Sequence, residues 1–226
     1  MKRIASLLIC LAIVSLTSIS HADILIFEGF GDPDNRPLIP QDYGDRITQL
    51  NDPVTGYIYG AGNGPTPNVT VDYIFDDPND GDFTLWNGYG DLNGALGHFN
   101  FNVEGEIALN ADAGFNVVLN TFDIAPFQID RDGIVRVLDG DDNVLFDTGV
   151  LTFDSTSRWS YGGSALIAST LRIQSFLPDG TTGGWGDFAL DNVNFDQRAV
   201  PEPSTITLLS LFATGIVAFR RRRSGT

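Results

Sequence analysis

Short apolar runs separated by turn residues occupy most of the chain. In residues 69–75, apolar side chains alternate with more polar ones, the pattern of a strand with one mainly buried face. Similar runs occur at residues 115–119, 134–138, 144–146, 150–153 and 171–176. Asp- and Gly-rich turns separate them, and no amphipathic helix of three turns is evident. The pattern predicts an all-β domain, an antiparallel β-sandwich of jelly-roll type.

Residues 134–146 predict a β-hairpin with a five-residue loop. The loop, which starts at Asp139, begins like a calcium-binding EF-hand loop. Val144 stands where the glycine of that motif belongs, and Val150 where its bidentate glutamate belongs. A hairpin turn therefore explains the aspartates better than a metal loop.

The N-terminus has the layout of a secretory signal peptide. Lys2 and Arg3 precede an apolar run at residues 4–16, and small residues flank His21 before a cleavage point after Ala22. We therefore predict a signal peptide at residues 1–22. It contains Cys10, the single cysteine of the chain, so we expect no disulfide or thiolate site in the exported domain, residues 23–199.

The C-terminus, residues 200–226, has three parts. A Val-Pro-Glu-Pro-Ser box precedes an uncharged apolar run, which is followed by an arginine cluster. Residues 204–219 predict a single transmembrane helix, ~24 Å long against a hydrocarbon core of ~30 Å. Arginines directly after the apolar run predict a cytoplasmic C-terminus in the inner membrane, with the domain outside.

This arrangement resembles the PEP-CTERM sorting signal of exported Gram-negative bacterial proteins. The resemblance covers about the last 27 residues. It implies recognition by an exosortase, a membrane enzyme with a catalytic cysteine, cleavage near the box, and a place in a cell envelope or a matrix of exopolysaccharide or biofilm. A plain membrane anchor is the alternative. The expected signal residues are Pro201, Glu202, Pro203, Arg220, Arg221, Arg222 and Arg223.

Charge narrows the choice of partners. Residues 23–199 contain seven arginines, no lysine and 28 acidic residues, a net charge of −21. Such a domain repels phosphate backbones, which argues against nucleic acid as a partner, and it suits divalent cations. Solubility alone is an equally good reason for an acidic surface.

Residues 24–30 and 186–195 resemble the first and last strands of galactose-binding-like and carbohydrate-binding jelly rolls. Strand alternation places Glu28 and Asp191 on otherwise apolar rows, where an unpaired charge is costly. The resemblance implies a structural calcium ion shared by these strands. We expect Glu28 and Asp191 as ligands and Asp187 as a weaker candidate, the alternative being strand-end residues that face water or pair with arginine.

The sequence offers little catalytic chemistry. His98 is the only histidine after the signal peptide, and cysteine and lysine are absent there, which excludes cysteine nucleophiles, Schiff-base lysines and His/Cys zinc sites. Glycoside hydrolysis needs only two carboxylates, and no pair stands out. Trp159 and Trp185, beside turn residues, are candidates for stacking on sugar, with core packing as the alternative.

The combined prediction is a non-catalytic, exosortase-sorted protein of the envelope or extracellular matrix. A carbohydrate-binding module with structural calcium is the alternative, followed by a glycoside hydrolase.

Overall fold

A computed structural model of the protein describes residues 23–62, 65–75, 83–98, 105–178 and 187–201. The predicted signal peptide and transmembrane helix lie outside these residues. Two 3₁₀ turns, Phe27–Phe30 and Pro33–Asn35, are the helical elements of the described part. Its strands are β1 (Asp23–Leu25), β2 (Val69–Phe75), β3 (Thr84–Trp86), β4 (Ala95–Gly97), β5 (Gly105–Ala111), β6 (Phe115–Pro126), β7 (Arg131–Asp139), β8 (Val144–Asp147), β9 (Leu151–Phe153), β10 (Trp159–Tyr161), β11 (Leu166–Ala168), β12 (Thr170–Phe176) and β13 (Phe188–Ala199).

The strands form two antiparallel sheets, which confirms the predicted all-β class. The first sheet has the order β10-β6-β13-β4-β3, with β1 on β13 and β11 on β6. The second has the order β2-β5-β12-β7-β8, with β9 on β7. A single large apolar core draws its side chains from both sheets. No helix in the described residues is long and apolar enough to cross a membrane.

The hairpin predicted at residues 134–146 is present as β7 and β8. Val137 pairs with Phe146, and the turn between the strands is closed by the carboxylate of Asp139. That carboxylate accepts hydrogen bonds from the backbone N–H groups of Asp141 and Asn143, both at 2.9 Å. The aspartates here therefore shape a turn, as predicted.

The first predicted strand is wrong in its second half. Only Asp23–Leu25 is extended, and Phe27–Phe30 forms a 3₁₀ turn, so Glu28 does not share a strand face with the apolar residues before it. The cause is Tyr43, a fully buried side chain. Its hydroxyl donates to the carbonyl of Ile26 at 2.5 Å and accepts from the Ile26 N–H at 3.2 Å, while its ring contacts Phe27 and Phe30.

β13 is the central strand of the first sheet. It pairs with β6 along most of its length, and with β1 and β4 on its other side. The pairing with β6 is irregular between Asp191 and Asn194, where Asn192 has a φ of 51°. Between Asp191 and Phe195 the strand therefore departs from the regular alternation of side chains between the two faces of the sheet.

We predict that Tyr43→Phe lowers the free energy of unfolding by about 1–3 kcal/mol, because the partly buried backbone N–H and carbonyl of Ile26 lose their hydroxyl partner. Tyr57→Phe is the matched control. It removes a hydroxyl that donates to Asp42 at 2.5 Å in an exposed position, and should cost less than about 1 kcal/mol. Urea denaturation measures both, and equal losses in the two variants would contradict the role given to Tyr43.

Candidate functional site

A buried carboxylate lies at the irregular point of β13. Asp191 is only 2% exposed. In the pairing of β13 with β6, the residue opposite it is Asp123. The backbone N–H of Asn192 donates to one Asp191 oxygen at 2.8 Å. The Asn192 amide nitrogen donates to Asp123 at 2.9 Å and to Asp191 at 3.3 Å.

Burial is the main reason that the pKa of Asp191 is raised to about 7. The charges of Glu28 and Asp123 raise it as well, while hydrogen bonds from the backbone of Asn192 and Phe27 oppose the rise. The guanidinium of Arg158 is a nearby cation, 3.4 Å from the carboxylate of Asp123. A cation placed between Asp191 and Glu28 would relieve the same repulsion.

Glu28 reaches this position from the 3₁₀ turn and not from a strand. The residue is exposed, and its backbone packs against Gly94, whose φ is +85° and whose added Cβ would lie 3.5 Å from the Glu28 Cα. The structure thus brings Glu28 near Asp191 by a route that the sequence did not predict. Asp123 was missed altogether, because it lies in a strand that the sequence does not place beside Asp191.

The residues fit calcium only in part. Among the described residues there is no cluster of three or more His, Cys, Asp or Glu side chains able to hold a metal. A calcium ion here would need Asp191 and Glu28 together with backbone carbonyls and water, a ligand mixture that calcium accepts.

Asp187 is engaged elsewhere. It is 2% exposed and forms an ion pair with Arg131. Burial raises the pKa of its carboxyl, and Arg131 counteracts that rise. Removing Arg131 would leave the buried carboxylate of Asp187 without its cation. The ion pair therefore stabilises this end of the sandwich.

Of the two tryptophans predicted to contact sugar, Trp159 is among the described residues. Trp185 lies outside the described residues. Trp159 is half-buried in β10, a strand and not a loop, and its ring contacts those of Phe122, Phe146 and Phe153 at centroid distances of 6.0–6.2 Å. These ring contacts are those of the core-packing alternative, and the half of the side chain that is not buried is the part that sugar contact would use.

The outer face of the second sheet carries a hydrogen-bonded polar network that the sequence did not single out. Glu106 accepts from Gln174 at 2.8 Å and from Arg172 at 3.3 Å, across neighbouring strands. Asn110 donates to Asp72 at 2.8 Å on the other side. The register explains it, because β2, β5, β12 and β7 place their alternate polar residues in continuous rows.

Phe176 adds an apolar group to this face, with the Arg136 guanidinium 5.2 Å from its ring centre. The sequence feature that could have indicated this face is the polar residue at every second position of each alternating strand. We call the surface formed by Asp72, Glu106, Asn110, Arg172, Gln174 and Phe176 the polar face.

The sorting residues begin where β13 ends. Pro201 follows the strand and is exposed, whereas Glu202, Pro203 and the four arginines lie outside the described residues.

Comparison with known proteins identifies the C-terminal motif. The model of the PEP-CTERM protein-sorting motif matches residues 199–224. The chain therefore carries this sorting motif, which marks an exported, exosortase-sorted protein of the Gram-negative cell surface. No curated protein matches the chain.

Solved structures resemble the domain only distantly. The Podospora anserina GH26-CBM35 β-(1,4)-mannanase is 14% identical over 60% of this chain and 29% of its own, with a TM-score of 0.33. A structure described as "CBM4 structure and function" is 8% identical over 59% and 87% of the two chains, with a TM-score of 0.27. The apo form of a cyclase from Fischerella sp. is 13% identical over 82% and 100%, with a TM-score of 0.32. This chain thus spans less than a third of the mannanase.

Proposed function

We propose that this protein is a non-catalytic component of the cell envelope or extracellular matrix, associated with exopolysaccharide or biofilm and delivered there by exosortase. The observation that carries the proposal is the sorting motif at residues 199–224, placed directly after the last strand. Before processing, the apolar segment would hold the C-terminus in the inner membrane with the arginines in the cytoplasm.

The absence of catalytic function is part of the proposal. His98 is 3% exposed, which keeps it from a substrate in solution. The buried acids have structural partners: Asp187 has Arg131, and Asp191 has the backbone of Asn192. Both acids thus make their contacts within the domain, which supports a structural role for them and not a catalytic one.

Calcium is the second element of the proposal. Two facts support it: the Asp191 carboxylate is buried, and the negative charge of Glu28 acts on it. The carboxylates of Asp191 and Glu28 repel each other in the protein alone. A calcium ion bound to both would attract each of them. Its role would be to stabilise the 3₁₀ turn against β13.

Glycan contact is the alternative function, and the polar face favours it. Planar amide, carboxylate and guanidinium groups on a rigid sheet suit the hydroxyl groups of a sugar chain, and Phe176 offers a surface for a sugar ring. Trp159 and Trp185 belong to this proposal as further stacking groups. A glycoside hydrolase remains the less favoured alternative, tested by release of reducing sugar.

Deleting residues 200–226 should move the protein from the envelope to the medium, because the segment read by the sorting enzyme is gone. Cell fractionation and immunoblotting measure the distribution. A matched control replaces Thr156, an exposed loop residue outside the sorting box, with Ala and should leave the distribution unchanged. Envelope retention of the deleted protein would contradict the proposal.

The calcium site predicts a pH dependence with opposite signs in chelator and in calcium. In chelator, the raised pKa of Asp191 means that its protonated form favours folding at low pH, and this stability is lost as pH rises from about 4 through about 7. Asp191→Asn should therefore gain stability relative to the wild type over that range.

With calcium at ~100 times its Kd, the wild type should gain about 2.7 kcal/mol at pH 8 and much less at pH 5. Asp191→Asn and Glu28→Gln should lose this gain, whereas Asp141→Asn, in the exposed hairpin turn, should keep it. Thermal denaturation measures all four proteins. A wild-type melting temperature that chelator leaves unchanged at pH 8 would rule out the calcium site.

Glycan contact predicts that the domain binds insoluble neutral polysaccharide and that Gln174→Ala weakens binding about fivefold, the cost of one hydrogen bond of ~1 kcal/mol. Gln49→Ala, an exposed glutamine in a loop, is the matched control. Depletion assays on a panel of polysaccharides measure both. Absence of binding, or equal weakening by both variants, would exclude the polar face as a glycan surface.

A further inference from the structure

The folded domain leads into the sorting motif without a free linker. β13 ends at Ala199, and the motif match begins at the same residue. Pro201 is two residues further, which is at most ~7 Å of chain at ~3.3–3.6 Å per residue. Any enzyme that closes on the Pro-Glu-Pro box must therefore come within a few ångströms of the sandwich.

Hydrogen bonds fix the direction in which the chain leaves the domain. The Val200 N–H donates to the carbonyl of Gly114 at 2.8 Å, in the turn between β5 and β6. One register step earlier, Ala199 pairs with Phe115. The side-chain oxygen of Gln197 accepts from the backbone N–H of Asn68 at 2.8 Å and from its amide at 3.1 Å. The strand thus remains paired up to the residue before Pro201.

A second layer braces the same place. Arg46 binds both oxygens of Asp112, at 2.6 and 2.8 Å, and donates to the carbonyl of Pro67 at 3.2 Å. The backbone N–H of Asp112 in turn donates to the carbonyl of Asn68 at 2.8 Å. These contacts connect the loop before β2, the turn after β5 and the end of β13. We call this surface, residues 46, 67–68, 111–115 and 197–200, the exit pole.

The charge of the exit pole differs from that of the rest of the domain. It carries Arg46 and Arg198, two of the seven arginines in residues 23–199, and one carboxylate, Asp112, which Arg46 binds; Asp45 and Asp196 flank it, so the pole is close to neutral. The remainder of the domain is strongly acidic. Anionic headgroups around a membrane enzyme would repel that remainder and not this pole.

We propose that the exit pole is a docking surface for the sorting enzyme, contacted while the enzyme holds the Pro-Glu-Pro box. The inference rests on the proposed function, namely that exosortase processes residues 199–224. The partner follows from the chain length, because ~7 Å of exposed chain is shorter than the body of any enzyme that must surround it. The braced exit fixes the direction of the chain up to Val200, which lowers the entropy cost of capturing the box that follows.

The far end of the same strand provides an internal control. β13 spans twelve residues, so its start lies at most about 36 Å from the exit pole at ~3.3 Å per residue, and the irregularity at Asn192 shortens this distance. The loop around Thr156 belongs to that far end, because Asp130, just after β6, accepts hydrogen bonds from Ser155. Thr156 is exposed and its hydroxyl bonds only locally, to Asp154 at 2.7 Å.

The test uses the full chain in an exosortase-bearing host and places a photoreactive residue at Ala113, in the exit-pole turn, or at Thr156. Irradiation during export should join the Ala113 probe to exosortase, with about tenfold more adduct than the Thr156 probe. A ten-residue Gly-Ser spacer inserted after Ala199 should reduce the Ala113 adduct about fivefold, because the local concentration of the pole falls with linker length.

Equal adducts from both probes, adducts to lipid alone, or an Ala113 adduct unchanged by the spacer would each overturn the docking surface. Immunoblots of the same samples follow loss of the C-terminus in hosts with and without exosortase. If that loss does not depend on exosortase, the proposed function fails. If it does depend on exosortase while the Ala113 adduct is absent, only the docking surface fails.

Discussion

The strand β13 is the element on which the rest of the structure depends. It pairs with three neighbours, carries the buried Asp191 at its irregular point, and ends at the first residue of the sorting motif. Loss of β13 from the first sheet would remove its pairing with β6, β1 and β4 together with the fixed exit of the chain. Folding of the domain and presentation of the motif are therefore linked through one strand, and a sorting signal on this protein is presented by a folded domain.

Two of the three buried acids on or beside this strand, Asp187 and Asp191, are stabilised in different ways. Asp187 has an arginine, which makes its charge tolerable without any ligand. Asp191 has backbone N–H groups on one side and the carboxylates of Glu28 and Asp123 on the other, so its charge is disfavoured in the protein alone. This contrast is why calcium is proposed at Asp191 and not at Asp187. The acidic composition could not distinguish the two residues, because the difference lies in their neighbours in the fold.

Sequence patterns predicted the parts of the fold in which five or more residues alternate, such as β2, β12 and the β7–β8 hairpin. They missed β3, β4, β10 and β11, because three residues rarely establish a period. They also missed β5, whose seven residues include a glycine and two alanines and therefore alternate weakly. The turn at Phe27–Phe30 was read as strand because its apolar residues satisfy both patterns, and the contact with Tyr43 decides between them. Burial of Asp191 was predictable from its apolar neighbours, but its pairing with Asp123 depends on a register between strands 68 residues apart.

The central claim is that the domain is cargo and that its C-terminus is an address read by exosortase. The most direct measurement is the intact mass of the mature protein from an exosortase-bearing host and from the same host without that enzyme. The account predicts a chain that ends near Pro201–Pro203 in the first case and retains Arg223 in the second. A chain that retains Arg223 in both hosts would contradict it and would identify residues 204–219 as a plain anchor.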